Sequence, residues 1–207
     1  MVIHYTAMQS AQAAANTLCN PETQVSAHYL IGADGDITAL VPEDQRAWHA
    51  GAGRWGDVDD VNSRSIGIEL DNTGFAPFAA AQMDALEELL SGIMARWTIR
   101  PERVIAHSDM APGRKIDPGP RFDWRRLARG GLSVWPQDGE GADISDDRFV
   151  ALMRRFGYTA TDDPDLLLRV LRLRFRPRHD GPRDGRDAAI ITDLAGRFPV
   201  DGARQSA

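Results

Sequence analysis

Apolar and polar positions trade places along the chain with two different periods. Residues 2–6 alternate as a strand, with His4 on the face opposite Ile3 and Tyr5. Residues 10–18 are alanine-rich and helical, stopped by Asn20 and Pro21. Residues 25–31 and 37–41 predict a hairpin turning at Asp34-Gly35. Residues 65–70 form a short strand of mixed polarity in which Glu69 shares a face with Gly67, against Ile66 and Ile68. The clearest helix covers residues 79–97, where Met83, Leu86, Leu90, Ile93, Met94 and Trp97 recur at three- and four-residue steps. Residues 103–106 give another strand. Strands interleaved with helices predict an α/β fold, a mixed central β-sheet flanked by helices. The pattern changes after residue 131. Residues 132–142 read as a linker with Pro136, Gly139 and Gly141, and short helices follow at 146–156, 163–175 and 186–198. The expected organisation is a domain over 1–131, a linker over 132–142 and a small C-terminal three-helix domain over 143–200.

Two segments lie outside these periods. Residues 46–62 form a long loop rich in Gly, Asp and Trp, and loops of that length are often functional. Residues 104–120, VIAHSDMAPGRKIDPGP, carry Gly and Pro at a density that predicts a shaped loop with no helix. This loop holds His107, Lys115 and Asp117, a set better suited to a metal site than to a surface turn. A carboxylate between Ile68 and Leu70 must be paired or poised over a polar cavity, so Glu69 is either tied up in a salt bridge or faces such a cavity. Asp109 reads as a loop-shaping residue.

Composition narrows the chemistry. The chain has 207 residues, 43% hydrophobic and 26% charged, within the range of a folded chain. A net charge of −6 argues against a general nucleic-acid binder. The single cysteine, Cys19, permits no intrachain disulfide and no cysteine cluster, so a metal would need histidine and carboxylate. No apolar run approaches the ~20 residues of a membrane span. Met1 is followed at once by VIHYT, without a basic start or a long apolar stretch, and the expectation is a leader encoded upstream. Among 24 Lys plus Arg, Lys115 is the one lysine, a compact point charge where the chain elsewhere uses the guanidinium fork. The segment 169–186 carries seven Arg against two Asp and is expected to be a solvated helix face with Arg stems over apolar neighbours. The pattern Gly51-Ala-Gly53-Arg-Trp-Gly56 lacks the strand and helix of a dinucleotide site, and Asp57, Asp59 and Asp60 do not have calcium-loop spacing.

With the loop at 104–120, the pieces IHYTA (3–7), AHYLI (27–31), AWHAG (47–51) and SIGIELDN (65–72) stand in an order that resembles the type 2 N-acetylmuramoyl-L-alanine amidases, relatives of the peptidoglycan recognition proteins. The resemblance runs from about Val2 to Trp124. It implies one zinc ion per chain held by His4, His107 and Asp117, with a fourth position open to water. It implies Glu69 as the base and Lys115 as the cation facing the oxyanion. The substrate implied is peptidoglycan or a muropeptide, cut between N-acetylmuramic acid, or its 1,6-anhydro form, and L-alanine. In AWHAG, Trp48 and His49 are expected to line the cleft. His28 is either a support for the site or purely structural, and Asn62 and Arg64 either grip the stem peptide or lie on the surface. The pieces FVALMRRFGY and LRVLRLRFRP resemble a small three-helix peptidoglycan-binding module. The expected setting is the cell envelope or periplasm, and the expected state a monomer. The rivals are a recognition protein that binds without cutting and a cytoplasmic amidase that recycles anhydro-muropeptides.

Overall fold

The computed structural model describes residues 1–200. One five-stranded sheet has the order β3-β2-β4-β1-β5. Its strands are β1 (Val2–Tyr5), β2 (Tyr29–Ile31), β3 (Ile37–Ala39), β4 (Gly67–Leu70) and β5 (Ile105–Ala106). β1 runs parallel to β4 and β5, β2 runs parallel to β4, and β3 closes the hairpin antiparallel to β2. The sheet is therefore mixed, as the alternation of elements predicts.

The two sheet faces do different work. Ile3, Ile68 and Leu70 pack against Met83, Leu86, Leu90 and Ile93 of helix α2 (Ala80–Trp97). Each such side chain contributes about 1.5–3 kcal/mol on burial, which outweighs the roughly 1 kcal/mol forgone because Ala79 offers no side-chain cap. Gln82, fully buried, donates to the carbonyls of Ile31 and Asp71 and ties the helix to the ends of two strands. The opposite face carries Val2, His4 and Glu69. Helix α1 (Ala11–Leu18), capped by the Ser10 hydroxyl, stands beside its polar end.

Two helices depart from expectation. The loop predicted to be helix-free contains the one-turn α3 (His107–Met110), because its helix breakers begin only at Pro112 and the Asp109 carboxylate caps the Ala106 N–H at 2.8 Å. Helix α4 (Trp124–Arg129) was not expected; Asp123 caps it, and Trp124 and Leu127 bury its inner side. The stretch 132–142 runs along the last helix, with Gln137 N donating to Asp193 and Gly141 N to the Gly185 carbonyl.

The tail forms α5 (Asp146–Phe156), α6 (Pro164–Phe175) and α7 (Gly185–Arg197). Phe149, Phe156, Tyr158, Leu167 and Ile191 belong to the same buried cluster as Val2, Ala50, Trp55, Ile105 and Met110, so helices and sheet share a core. Gly157 ends α5 at φ +137°, and a Cβ there would stand 2.5 Å from the Trp55 indole. The basic segment is a solvated face only in part, with Arg169, Arg178 and Arg186 exposed. Arg172 and Arg174 are buried and Arg176 is half-buried; they turn inward to Asp187, Asp109 and Asp184. Their acids sit on other elements, and of the three only Asp184 falls within the counted segment.

Candidate active site

At the carboxyl ends of β1 and β4 lies a cavity of about 650 Å³, lined among others by His4, Trp48, His49, Glu69, His107, Lys115 and Asp117. Register builds its floor. His4 pairs with Glu69 across the parallel β1–β4 ladder, so the two side chains leave the same sheet face from strands roughly 4.8 Å apart. His107 opens α3 directly after β5, and the α3 amide of Ser108 donates to the Asp117 carbonyl at 3.1 Å, folding the loop back so that its two ends meet.

His4 Nδ1, His107 Nδ1 and Asp117 Oδ2 stand 3.0 Å from one another. All three residues are buried, and among the described residues they are the one His/Cys/Asp/Glu group arranged to hold a metal ion. Hydrogen bonding around them fixes where the imidazole protons sit. Ser65 Oγ gives its hydrogen to the Val61 carbonyl at 2.6 Å, so toward His49 Nε2, 3.2 Å away, it accepts. His49 Nδ1 is then a lone pair and takes the Nε2–H of His4 at 3.0 Å. His107 spends its Nε2–H on the Ala50 carbonyl at 2.8 Å. With both rings neutral, their Nδ1 lone pairs and a carboxylate oxygen converge with no proton between them. Such a cluster is repulsive by itself and fits a cation, and two imidazoles with one carboxylate suit zinc while leaving a fourth position for water.

The electrostatics agree. Burial lowers the His4 pKa to about 4 against the raising pull of Asp117, and keeps the ring neutral. His49 is held well below the ordinary histidine value, by burial first and by the surrounding imidazoles second. Burial pushes the Asp117 carboxyl up; proton-bearing imidazoles at His107 and His4 would pull it well below the usual carboxylate range, and with those rings neutral the positive partner must be a cation. Glu69 moves the other way, to about 8, through burial and the nearby Asp117, with Lys115 partly offsetting both. Its Oε2 is buried without a hydrogen-bond partner, so the salt-bridge alternative for Glu69 is not realised. A buried carboxylate left open over a polar cavity is the signature of a group kept ready for a proton.

The remaining site candidates separate. Trp48 stands 56% exposed on the rim with the Arg46 guanidinium 4.2 Å from its ring centroid. His49 lies edge-on to His4 and rests on Gly67, where a Cβ would come within 2.3 Å of its ring. His28, fully buried, does not line the cleft; its Nε2–H goes to the Gln45 carbonyl and its Nδ1 accepts from Gly67 N. Asn62 is also off the cleft and uses Oδ1 to gather the His49 and Ala50 amides at 3.0 and 2.8 Å. Arg64 is exposed and borders a different cavity, at the amino ends of the strands. Sequence reasoning passed over Arg114, whose guanidinium reaches the carbonyls of Ala50 and Ala52 and draws the 46–62 loop against His107. Its position beside Lys115 was the available signal.

Sheet order, cleft and site composition define a hydrolase of the mixed α/β class. The family model for N-acetylmuramoyl-L-alanine amidases, Amidase_2, matches residues 1–120. The chain belongs to this amidase family. It is 37% identical to the N-acetylmuramoyl-L-alanine amidase AmiD of Escherichia coli over 234 residues, covering 97% of this chain and 83% of that protein. It is 42% identical to the 1,6-anhydro-N-acetylmuramyl-L-alanine amidase AmpD of Enterobacter cloacae over 103 residues, which is 50% of this chain and 55% of that one. The solved complex of E. coli AmiD with the substrate anhydro-N-acetylmuramic acid-L-Ala-D-γ-Glu-L-Lys superposes with a TM-score of 0.87 at 36% identity, covering 95% of this chain and 88% of AmiD. AmpDh3 of Pseudomonas aeruginosa, in complex with anhydromuramic pentapeptide, gives 0.84 at 34% identity over 96% and 91% of the two chains.

Proposed function

We propose that this chain is a zinc-dependent N-acetylmuramoyl-L-alanine amidase that hydrolyses the amide between N-acetylmuramic acid, in its ordinary or 1,6-anhydro form, and L-alanine. The observation that carries the reading is the meeting of three unprotonated donors 3.0 Å apart beside a buried, unpartnered carboxylate. His4, His107 and Asp117 would hold the ion. Bound there, zinc supplies a Lewis acid and lowers the pKa of a water to about 7. Glu69 takes the proton from the attacking water and later delivers it to the nitrogen of the leaving L-alanine. A carboxyl with a raised pKa is suited to both halves of that transfer. Lys115 donates to the carbonyl oxygen as it gains charge, a contribution typically worth about 3 kcal/mol. His49 keeps His4 in the ligating tautomer, and the exposed Trp48 offers an apolar face to the substrate.

The pairing of AmiD and AmpDh3 with anhydro-muramyl peptides supports a muropeptide as substrate. The resemblance of the tail to a wall-binding module supports the cell envelope as the place of action. Among the described residues no helix is long and apolar enough to cross a membrane. The test is release of stem peptide, followed by mass spectrometry, from intact sacculi and from 1,6-anhydro-muropeptides. The zinc-loaded protein is expected to cleave both. Glu69→Gln is expected to keep its zinc and lose about 10²–10⁴-fold in rate, and Lys115→Ala about 10²–10³-fold. Binding to sacculi without any peptide release would leave a recognition protein. Cleavage of the anhydro-muropeptide alone would leave a recycling enzyme.

A further inference from the structure

The cleft has a reverse side, and the C-terminal helices occupy it. The ligand loop shows the cleft His107 and Asp117; it shows the helices Asp109, which is fully buried. Asp109 sits two residues beyond His107 in α3. Its Oδ2 accepts from the Ala106 amide, fixing the peptide from which the His107 ring departs. Two further partners come from the tail. Tyr158 donates its hydroxyl to Oδ1 at 2.6 Å, and Arg174 closes a buried ion pair on Oδ2. Burial and the neighbouring Asp109 hold the Tyr158 phenol well above its usual pKa, so it remains a donor. The same guanidinium reaches the Val104 carbonyl in the approach to β5 at 3.2 Å and Ser133 at 3.0 Å. The opposite wall is held similarly. Gly56 N donates to the Gly157 carbonyl at 2.8 Å, and Thr159 Oγ1 donates back to the Gly56 carbonyl at 2.7 Å.

We infer that the C-terminal helices are part of the catalytic apparatus, with Tyr158 and Arg174 as positioning residues that aim the ligand loop through Asp109. This rests on reading His107 and Asp117 as metal ligands. A helical segment that served only to grip the wall would need a surface, not a phenol and a guanidinium threaded behind a ligand. Outer partners of this kind hold ligand orientation tightly, and their loss typically costs 10–100-fold in metal affinity or activity.

The test uses the full-length chain loaded with zinc, and with cobalt for spectroscopy. Tyr158→Phe removes one oxygen and keeps the ring in the core. Expected are a metal affinity about tenfold weaker by chelator competition, an altered cobalt d–d spectrum, and a lower kcat with KM unchanged on a soluble anhydro-muropeptide. Arg174→Lys, which keeps the charge but not the fork, is expected to move the same readouts in the same direction. Arg154→Ala, which breaks an exposed ion pair between α5 and Asp162 in the loop before α6, is expected to leave them alone. Tyr158→Phe with a lower melting temperature but unchanged metal affinity, spectrum and kcat would overturn the inference, making the contact ordinary core. Failure of the wild-type chain to take up metal would instead overturn the ligand assignment.

Discussion

Two buried polar clusters lie a few residues apart on the same loop, and they are built on opposite principles. Around Asp109 the accounts nearly close: one carboxylate meets one guanidinium, one hydroxyl and one amide, and only the Arg174 Nε hydrogen is left without an acceptor. Around Asp117 they do not. Two imidazole lone pairs and a carboxylate face one another, and a second carboxyl, Glu69, stands nearby with an unpartnered oxygen. Burying polar groups this way is costly unless something completes them. A cluster satisfied by its own chain holds the fold, whereas one left incomplete points to what must arrive from outside.

The comparison can be broken at three levels. The largest effect is expected from His4→Ala. It should abolish metal uptake, measured as metal content after dialysis, and activity with it. Full metal retention would remove His4 from the ligand set. Next comes Asp109→Ala, which leaves Arg174 buried without its partner; side-chain exposures of 2% and 0% place the pair beyond solvent screening. A loss of about 3–5 kcal/mol in urea unfolding is expected whether or not zinc is present. A loss below ~1 kcal/mol would mean that the closed cluster does not hold the fold.

The third effect, similar in size to the second, is a dependence on pH. In the metal-free chain Glu69 titrates at about 8 when folded, against ~4.3 when unfolded. The folded state keeps that proton longer, so the stability Glu69 contributes is complete below ~4 and is lost as pH rises through about 8. Relative to Glu69→Gln, metal-free wild type should therefore lose roughly 4 kcal/mol between pH 5 and 8.5. His4, lowered to about 4, contributes in the opposite sense, as does the Met1 amine, lowered to about 5; both are common to the two proteins and cancel in the difference. A difference that stays flat with pH would place the titrating proton elsewhere.

What the sequence disclosed follows the range of each interaction. Strand alternation put His4 and Glu69 on defined faces, and the helix period of residues 80–97 identified the core face, because both are local geometry. His107, Lys115 and Asp117 were legible through the Gly and Pro around them. The Ser65–His49–His4 chain was not, since it joins positions 16 and 45 residues apart through hydrogen atoms whose placement depends on a carbonyl at Val61. The inward turn of Arg172, Arg174 and Arg176 was misjudged for the same reason: a run of arginines gives no hint that its acids lie on α3 and at the start of α7. The single turn at His107–Met110 was masked by the breakers that follow it, and α4 by its six-residue length.

Lys115 lends the molecule a property of another kind. It is the only lysine side chain among 207 residues, and it borders the cleft. A lysine-selective acylating label thus has one side-chain address on this protein, at the mouth where a bound muropeptide would shade it. The mass added there reports occupancy directly, even in a variant that turns nothing over.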